Sequence, residues 1–168
     1  MELFEATQKR ASYRGEYLPG KVPYSDLEKI VSAGMAAPSG RNMQTTSFVI
    51  VDDDSLLSEI RRILPSRLVG SAPAVIAAAY GQDPEDFFAS EREDCAAAVQ
   101  NMLLAATALG YASCWIDGEI RLHGRSEAIG ALLHLPEWLS VRVILPVGKP
   151  ASAAKQPPKL GFEQRAYR

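Results

Sequence analysis

Pro73-Ala74-Val75-Ile76-Ala77-Ala78-Ala79-Tyr80 is an uninterrupted apolar run. A strand with one face in water alternates apolar and polar residues, whereas a strand covered on both faces is apolar throughout. The run therefore predicts a strand buried on both faces. Elements must pack on each side of it, so the fold is expected to be layered.

Helical patterns on both sides of this run supply the covering layers. Two of them open with capping boxes, Ser25-Asp26-Leu27-Glu28 and Ser90-Glu91-Arg92-Glu93. Pro38 and Pro65 end the helices before them, because proline lacks a backbone donor. The predicted helices are residues 2–9, 25–37, from Asp54 or Ser55 to 64, about 91–109 followed by Gly110, and 126–133.

Further strands are expected from shorter apolar runs. With the central run they lie at about 47–51, 73–80, 112–116 and 141–147. Residues 82–88 read as a polar loop, and the tail 151–168 has no periodic pattern and is expected to be extended. Helices and strands alternate without a linker, which predicts a single domain over 1–168, with three or more strands covered by helices.

Composition excludes several function classes. Of 168 residues, 47% are hydrophobic and 23% charged, as in soluble globular proteins, and the net charge of −2 offers no general attraction to nucleic acid or an anionic membrane. No run is long enough to span a bilayer and no signal peptide is recognisable, so a cytoplasmic protein is expected. Cys95, Cys114, His123 and His134 lack metal-ligand spacing, and no metal site is predicted.

Arg10, Ser12 and Arg14 form the first candidate site. Alternate residues of an extended segment point to the same side, so two guanidiniums would flank a hydroxyl. Such a group of charge-assisted donors suits a phosphate. The alternative is a pair of solvated surface arginines.

The second candidate is the loop that joins the helix 25–37 to the strand 47–51. Residues 36–44 contain a hydroxyl, a guanidinium and the amides of Asn42 and Gln44. Amides both donate and accept hydrogen bonds, so they suit the edge of a heteroaromatic ring. Ser, Gly and Asn are also ordinary turn residues, and a structural loop is the competing interpretation.

The third candidate is the segment from Gly110 to Gly118. Its glycines allow close backbone approach to a flat ligand, Trp115 offers an aromatic face and Asp117 a polar group. The alternative is a strand that ends in a turn, with Trp115 in the core. Cys114 is interpreted as a buried apolar residue rather than a nucleophile. In the tail, a lysine such as Lys149, Lys155 or Lys159 is a candidate phosphate contact.

Taken together and in this order, these segments resemble the FMN-dependent nitroreductase family. The matching motifs are Arg10-Ala11-Ser12-Tyr13-Arg14, Ala37-Pro38-Ser39-Gly40-Arg41-Asn42-Met43-Gln44, the Ala-rich stretch from Asp94 to Leu109, Gly110 to Gly118, and Pro146-Val147-Gly148-Lys149-Pro150. Thr45-Thr46 departs from the Pro-Trp that commonly follows in the family, and Ala11 replaces a frequent second basic residue.

The resemblance implies an α+β three-layer sandwich with a mixed or antiparallel central sheet, assembled as an intertwined homodimer with FMN at the subunit interface. It implies that Arg10, Ser12 and Arg14, with Ala11 between them, hold the phosphate and ribityl chain. The other implied cofactor contacts are Pro38, Ser39, Gly40, Asn42 and Gln44 from the partner subunit, Trp115, Asp117 and Gly118 along the flavin ring, and Lys159 in the tail. A further contact is implied within 57–70, with Arg67 as a candidate.

The implied activity is an FMN-dependent oxidoreductase with a ping-pong mechanism. NADH or NADPH reduces the flavin, which then reduces a nitroaromatic, a quinone or a similar electron-poor acceptor. Two alternatives remain open: another FMN reaction of the family, such as dehalogenation, flavin fragmentation or ring oxidation, and a non-catalytic flavin-binding or storage dimer. No catalytic side chain is assigned, since water can supply protons in an open site.

Overall fold

A four-stranded antiparallel sheet forms the middle of the protein in a computed structural model, which describes residues 1–81 and 89–167. The strands are β1 (Ser47–Val51), β2 (Ala74–Tyr80), β3 (Ala112–Ser113) and β4 (Ser140–Gly148), in the order β1-β2-β4-β3. The helices are α1 (Leu3–Lys9), α2 (Tyr24–Met35), α3 (Asp54–Ile63), α4 (Glu91–Ala108) and α5 (Arg125–Leu132), with short 3-10 turns at Gly40–Asn42 and Phe162–Gln164.

The predicted central strand is confirmed, because all seven residues of β2 are buried and the strand pairs with β1 on one side and β4 on the other. Successive side chains of a strand point to opposite faces. Ile76 accordingly packs with α2 and α4, while Val75 and Ala77 pack with α3 and α5. Each face of the sheet has its own apolar core, so the protein is a three-layer α+β sandwich.

Close contact between α2 and α4 fixes the layer that leads to the second candidate segment. A Cβ placed on Gly34 would lie 2.8 Å from the Met102 side chain, so only glycine permits this approach. The Asn101 amide donates a hydrogen bond to the Ala33 carbonyl oxygen at 3.1 Å, close to the end of α2. The loop that follows α2 is therefore held beside α4.

Both predicted capping boxes are wrong. Pro23 is the N-cap of α2, and the Asp26 carboxylate accepts hydrogen bonds from the Tyr111 hydroxyl at 2.8 Å and from Lys29 at 2.9 Å. Ser90 precedes α4 but makes no cap hydrogen bond, and its hydroxyl donates to Asp94 at 3.4 Å. Ser25 therefore lies inside α2, and the Ser90 hydroxyl donates to a side chain within its own helix instead of accepting from the backbone.

Several predicted boundaries also shift. Asp53, rather than Asp54 or Ser55, caps α3, because its carboxylate accepts from two backbone N–H groups of the first turn. The predicted strand 112–116 pairs regularly only at Ala112 and Ser113, and Ile116 adds an isolated bridge to Ile144. The helix predicted to reach residue 37 ends at Met35. The polar loop predicted at 82–88 lies outside the described residues.

The helices of residues 1–81 and 89–167 do not combine the length and the hydropathy that a bilayer crossing requires. The same residues hold no group of three His, Cys, Asp or Glu side chains placed to bind a metal ion.

Candidate functional site

The segment from Arg10 to Arg14 runs extended beside β3. The Tyr13 N–H donates to the Ser113 carbonyl oxygen at 2.9 Å. Ala11 and Tyr13 are buried, while Arg10, Ser12 and Arg14 retain more exposure. The predicted alternation is confirmed. The Ala11 side chain faces the core, so only its backbone is available to a ligand.

The three polar side chains of this segment lie near Cys114, because a parallel bridge joins Ser12 to Ser113. Burial raises the pKa of the Cys114 thiol, and the Arg14 guanidinium, the Ser12 hydroxyl and the Arg10 guanidinium partly offset that rise. Within the described residues, the Arg14 guanidinium makes one intrachain hydrogen bond, to the Ser12 carbonyl oxygen at 3.5 Å. The cluster keeps donors for an anion and fits a phosphate group.

The segment of Trp115, Asp117 and Gly118 follows Cys114 directly in the chain. Ile116 is buried and exchanges two backbone hydrogen bonds with Ile144, at 2.9 and 3.1 Å, which anchors the segment against β4. Trp115 is partly buried against the core between the sheet and α4. The Asp117 carboxylate pairs with Arg121 at 3.4 Å.

Gly118 is not required by the fold of a single chain. A Cβ at this position would meet no atom within 4 Å, and the backbone is not left-handed there. Neither packing nor backbone conformation therefore explains the glycine. The open space above it suits the close approach of a flat ligand.

The loop after α3 closes one side of this region. The Ser66 hydroxyl donates to the Glu119 carboxylate at 3.1 Å, which holds residues near 66 beside Gly118. Arg67 is exposed next to this contact. Sequence reasoning missed the Ser66–Glu119 pair, since 53 residues separate its members and neither belongs to a motif.

The tail approaches the first cluster through a residue that the sequence did not single out. Gln156 donates from its amide to the Arg10 carbonyl oxygen at 2.7 Å. Lys159, the predicted tail contact, lies three residues further on and is exposed. Lys149 instead donates to the carbonyl oxygens of Leu109 and Gly110, at 3.3 and 3.1 Å, and so caps the end of α4.

The loop from Pro38 to Gln44 follows α2 and is held against the start of α4. The Gly40 N–H donates to Asp94 at 2.9 Å, and a Cβ on Gly40 would overlap the Ser90 hydroxyl. The Ser39 hydroxyl accepts from the Gln44 N–H at 3.0 Å. Gly40 therefore has a structural reason to be glycine, in addition to any contact with a ligand.

Three residues of this loop have a left-handed backbone. Their φ angles are 51° for Arg41, 57° for Asn42 and 51° for Gln44. Non-glycine residues in this region are strained, by an amount on the order of 1 kcal/mol each. Strain of this kind concentrates at ligand-binding and active sites, where the surrounding contacts maintain it.

A cavity of about 140 Å³ lies under the loop, between α2, α4 and β1. It is lined in part by Thr45 and Thr46, whose hydroxyls are buried and have no hydrogen-bond partner among the described residues. A second cavity, of about 350 Å³, is lined by Trp115 and Asp117 and shares no lining residue with the first. The Arg10–Arg14 segment thus lies beside Ser113, close in the chain to Trp115–Gly118, whereas the Pro38–Gln44 loop contributes no residue to the cavity of Trp115 and Asp117.

Comparison with known proteins identifies this arrangement. A sequence model described as "Nitroreductase family" matches residues 7–68 and 64–149. The chain belongs to the nitroreductase family. A protein of Methanothermobacter thermautotrophicus, provisionally named NADH dehydrogenase/NAD(P)H nitroreductase, is 32% identical over 152 residues, which cover 90% of this chain and 78% of the relative. A protein of Archaeoglobus fulgidus with the same provisional name is 32% identical over 139 residues, covering 80% and 78%.

Solved structures show the same fold for nitroreductases. A provisionally named nitroreductase of Desulfovibrio desulfuricans, crystallised in complex with FMN, has a TM-score of 0.84 and 26% identity, covering 100% of this chain and 97% of the other. An FMN-dependent nitroreductase of Clostridium difficile has a TM-score of 0.82 and 25% identity, covering 98% of both chains.

Proposed function

We propose that this protein is an FMN-dependent NAD(P)H oxidoreductase that reduces nitroaromatics, quinones or similar electron-poor acceptors by a ping-pong mechanism. The observation that carries the proposal is the placement of the Arg10–Arg14 segment beside Ser113 and Cys114, directly before the Trp115–Gly118 segment, in a member of the nitroreductase family. The FMN named for the solved relative and the NAD(P)H named for the sequence relatives support the cofactor and the electron donor.

The residues divide into two groups by the part of FMN that they suit. The phosphate and ribityl chain would be held by the side chains of Arg10, Ser12 and Arg14, by the backbone at Ala11, and by Lys159 from the tail. The flat ring would lie along Trp115, Asp117 and Gly118, where the open space above Gly118 permits close contact. When bound, FMN supplies hydride acceptance from the nicotinamide donor and electron delivery to the acceptor.

A homodimer would complete the site. We propose that Pro38, Ser39, Gly40, Asn42 and Gln44, none of which lines the cavity of Trp115 and Asp117, reach the FMN of the partner subunit. The strained backbone of the loop and its anchoring on Asp94 support this role, because they fix the backbone that carries Asn42 and Gln44. One domain over 1–168 in a cytoplasmic protein remains our prediction.

The protein contributes binding and orientation rather than an acid or a nucleophile. The guanidiniums of Arg10 and Arg14 would neutralise the phosphate, and backbone N–H groups near Gly118 would donate to polar ring atoms. Burial raises the pKa of Cys114, which keeps the thiol protonated near neutral pH and argues against thiolate chemistry.

The test is an anaerobic absorbance titration of the purified, FMN-saturated protein with NADH and then with NADPH. We expect FMN to bind at micromolar concentration and its visible absorbance to bleach with at least one donor. Addition of menadione or a nitroaromatic should restore the absorbance. Failure to bind FMN would refute the proposal as a whole. Normal FMN binding without bleaching would refute NADH and NADPH as electron donors.

A flavin-binding or storage dimer is the second candidate, and Thr45-Thr46 is the observation that favours it. The buried hydroxyls of Thr45 and Thr46 stand where the family commonly has Pro-Trp, so the wall of the site differs. Sustained oxidation of NAD(P)H with menadione, above the rate of free flavin, would exclude a storage role. Binding of FMN without turnover would favour the storage role or another FMN reaction, such as dehalogenation.

A further inference from the structure

The second cavity, here called the arginine cavity, is locally positive in a protein whose net charge is −2. Three arginines line it: Arg92, Arg121 and Arg142. Of the described residues that line the cavity, Asp117 is the one acid, and its carboxylate is paired with Arg121 at 3.4 Å. The charges of Arg92 and Arg142 are therefore not neutralised by other residues that line the cavity. This excess of positive charge favours the binding of an anion.

Arg142 is placed by an irregularity of the sheet. Ala78 pairs with Val143 and Ala79 with Val141, so Arg142 is an extra residue without a partner on β2. Bulges of this kind redirect a side chain and are frequent next to active sites. The bulge brings the Arg142 guanidinium to 5.1 Å from the centre of the Tyr80 ring, on the cavity wall.

The Arg142 Nε atom is buried and has no hydrogen-bond partner among the described residues. That atom has almost no accessible surface, so a molecule in the cavity would meet the terminal nitrogens of the guanidinium, which make no hydrogen bond or ion pair among the described residues. A carboxylate matches the planar donor edge of arginine, which can bind both carboxylate oxygens. The cavity therefore has an unused donor for such a group.

Its other walls are aromatic or apolar. Tyr80 and Trp115 present rings, and Cys95 presents a thiol whose pKa burial raises to about 11, so that it is neutral at physiological pH. The volume of about 350 Å³ lies at the small end of the range for ligand sites. Rings, an apolar floor and a carboxylate-binding edge together suit a small aromatic acid.

We propose that the arginine cavity binds aromatic carboxylates of one or two rings, and that such acids are preferred electron acceptors. Trp115 and Asp117 belong both to the cavity and to the segment proposed to lie along the flavin ring, so a bound acid lies beside the site of reduction. The statement about acceptors rests on the proposed function, whereas the statement about binding does not.

A nitrobenzoate gives a balanced first step. The hydride of NAD(P)H and one proton from solvent remove one nitro oxygen as water. The nitro group becomes a nitroso group, and the donor becomes NAD(P)⁺. The carboxylate is unchanged in this step and serves to hold the ring.

Binding of 4-nitrobenzoate and of its neutral analogue 4-nitrobenzamide would be measured by calorimetry on the purified, FMN-saturated, oxidised protein. We expect the acid to bind more tightly than the amide. Arg142→Gln should raise the Kd of the acid roughly 10- to 100-fold, the loss expected for one charge-assisted hydrogen bond, and should leave the Kd of the amide nearly unchanged. Arg62→Gln on α3 is the matched control. Arg62 is exposed and does not line the cavity, and its substitution removes the same charge.

Arg92→Gln protects the test against misfolding of the Arg142 variant. Arg92 is exposed at the rim, so its replacement leaves the core intact, and we expect a smaller rise in the Kd of the acid. Equal affinity for acid and amide in the unmodified protein would overturn the inference. An equal effect of Arg62→Gln and Arg142→Gln would also overturn it, since the cause would then be net charge alone.

Steady-state rates separate this inference from the proposed function. The ratio of kcat/KM for 4-nitrobenzoate to that for 4-nitrobenzamide should fall in Arg142→Gln. Turnover of menadione without any preference for the acid would overturn the acceptor inference and leave the proposed function standing. Arg142-dependent binding of the acid without NAD(P)H oxidation by any acceptor would refute the proposed function, and with it the acceptor statement, while the binding site would remain.

Discussion

Replacement of Arg14 by glutamine separates phosphate binding from folding. The Arg14 side chain is exposed, and within the described residues its guanidinium makes only the 3.5 Å contact to the Ser12 carbonyl oxygen. Exposed substitutions of this kind change the free energy of unfolding by about 0.5 kcal/mol or less. A charge-assisted hydrogen bond to the phosphate contributes about 1.5–3 kcal/mol, so Arg14→Gln should weaken FMN binding roughly 10- to 100-fold.

Riboflavin provides the internal control, because it has the same ring and ribityl chain without the phosphate. Titration of flavin-free protein, followed by flavin fluorescence, should show weaker FMN binding in Arg14→Gln and nearly unchanged riboflavin binding. Arg62→Gln removes the same charge from the exposed surface of α3 and should change neither. Added salt should weaken FMN binding more in the unmodified protein than in Arg14→Gln, because the lost contact is ionic. Equal losses for FMN and riboflavin would refute the assignment of Arg14 to the phosphate.

Three further results are expected. Gly118→Ala should weaken FMN binding and change the free energy of unfolding in urea by about 0.5 kcal/mol or less. Gly40→Ala should destabilise the flavin-free protein by about 1–3 kcal/mol, because its Cβ would overlap a neighbouring hydroxyl. The reverse pattern would contradict the placement of the flavin ring at Gly118. Asn42→Ala should weaken FMN retention in gel filtration without changing the elution volume, and unchanged retention would return the loop to a purely structural role. Burial and the hydrogen bond to Asp26 raise the pKa of Tyr111 from 10.0 to about 12. The stability that Tyr111 contributes is therefore complete below pH 10 and is lost as the pH rises from 10 to 12. Tyr111→Phe should reduce the loss of stability over this interval, and an unchanged loss would exclude Tyr111 as the group responsible.

Periodicity predicted the elements of the fold because each depends on a local pattern. The apolar run 73–80 requires cover on both faces, and the structure provides a separate core on each. The same principle predicted the outward side chains at Arg10, Ser12 and Arg14, since an extended backbone alternates whatever lies beside it.

The predicted caps were wrong because α2 begins after Pro23, ahead of Ser25, and because the Ser90 hydroxyl donates to Asp94 instead of accepting from the backbone. Other side chains have tertiary partners that the sequence did not reveal. Asp26 binds Tyr111, 85 residues away, and Lys149 binds the end of α4 rather than lying free for a phosphate. Nothing in the local sequence around Asp26 or Lys149 records these partners. β3 is shorter than the predicted strand 112–116 because only Ala112 and Ser113 pair with β4. The length of a strand thus depends on its partner strand as well as on its own sequence.

The sequence by itself determined the layered architecture, the family motifs and the residue types of the proposed flavin site, because these depend on spacing along the chain. Only the tertiary structure decided which segments meet. It placed Arg10 and Arg14 beside Cys114, brought Gln156 to the Arg10 backbone, and used a bulge to turn Arg142 into a cavity with Trp115. These contacts join residues far apart in sequence, and their positions follow from how the sheet and helices pack.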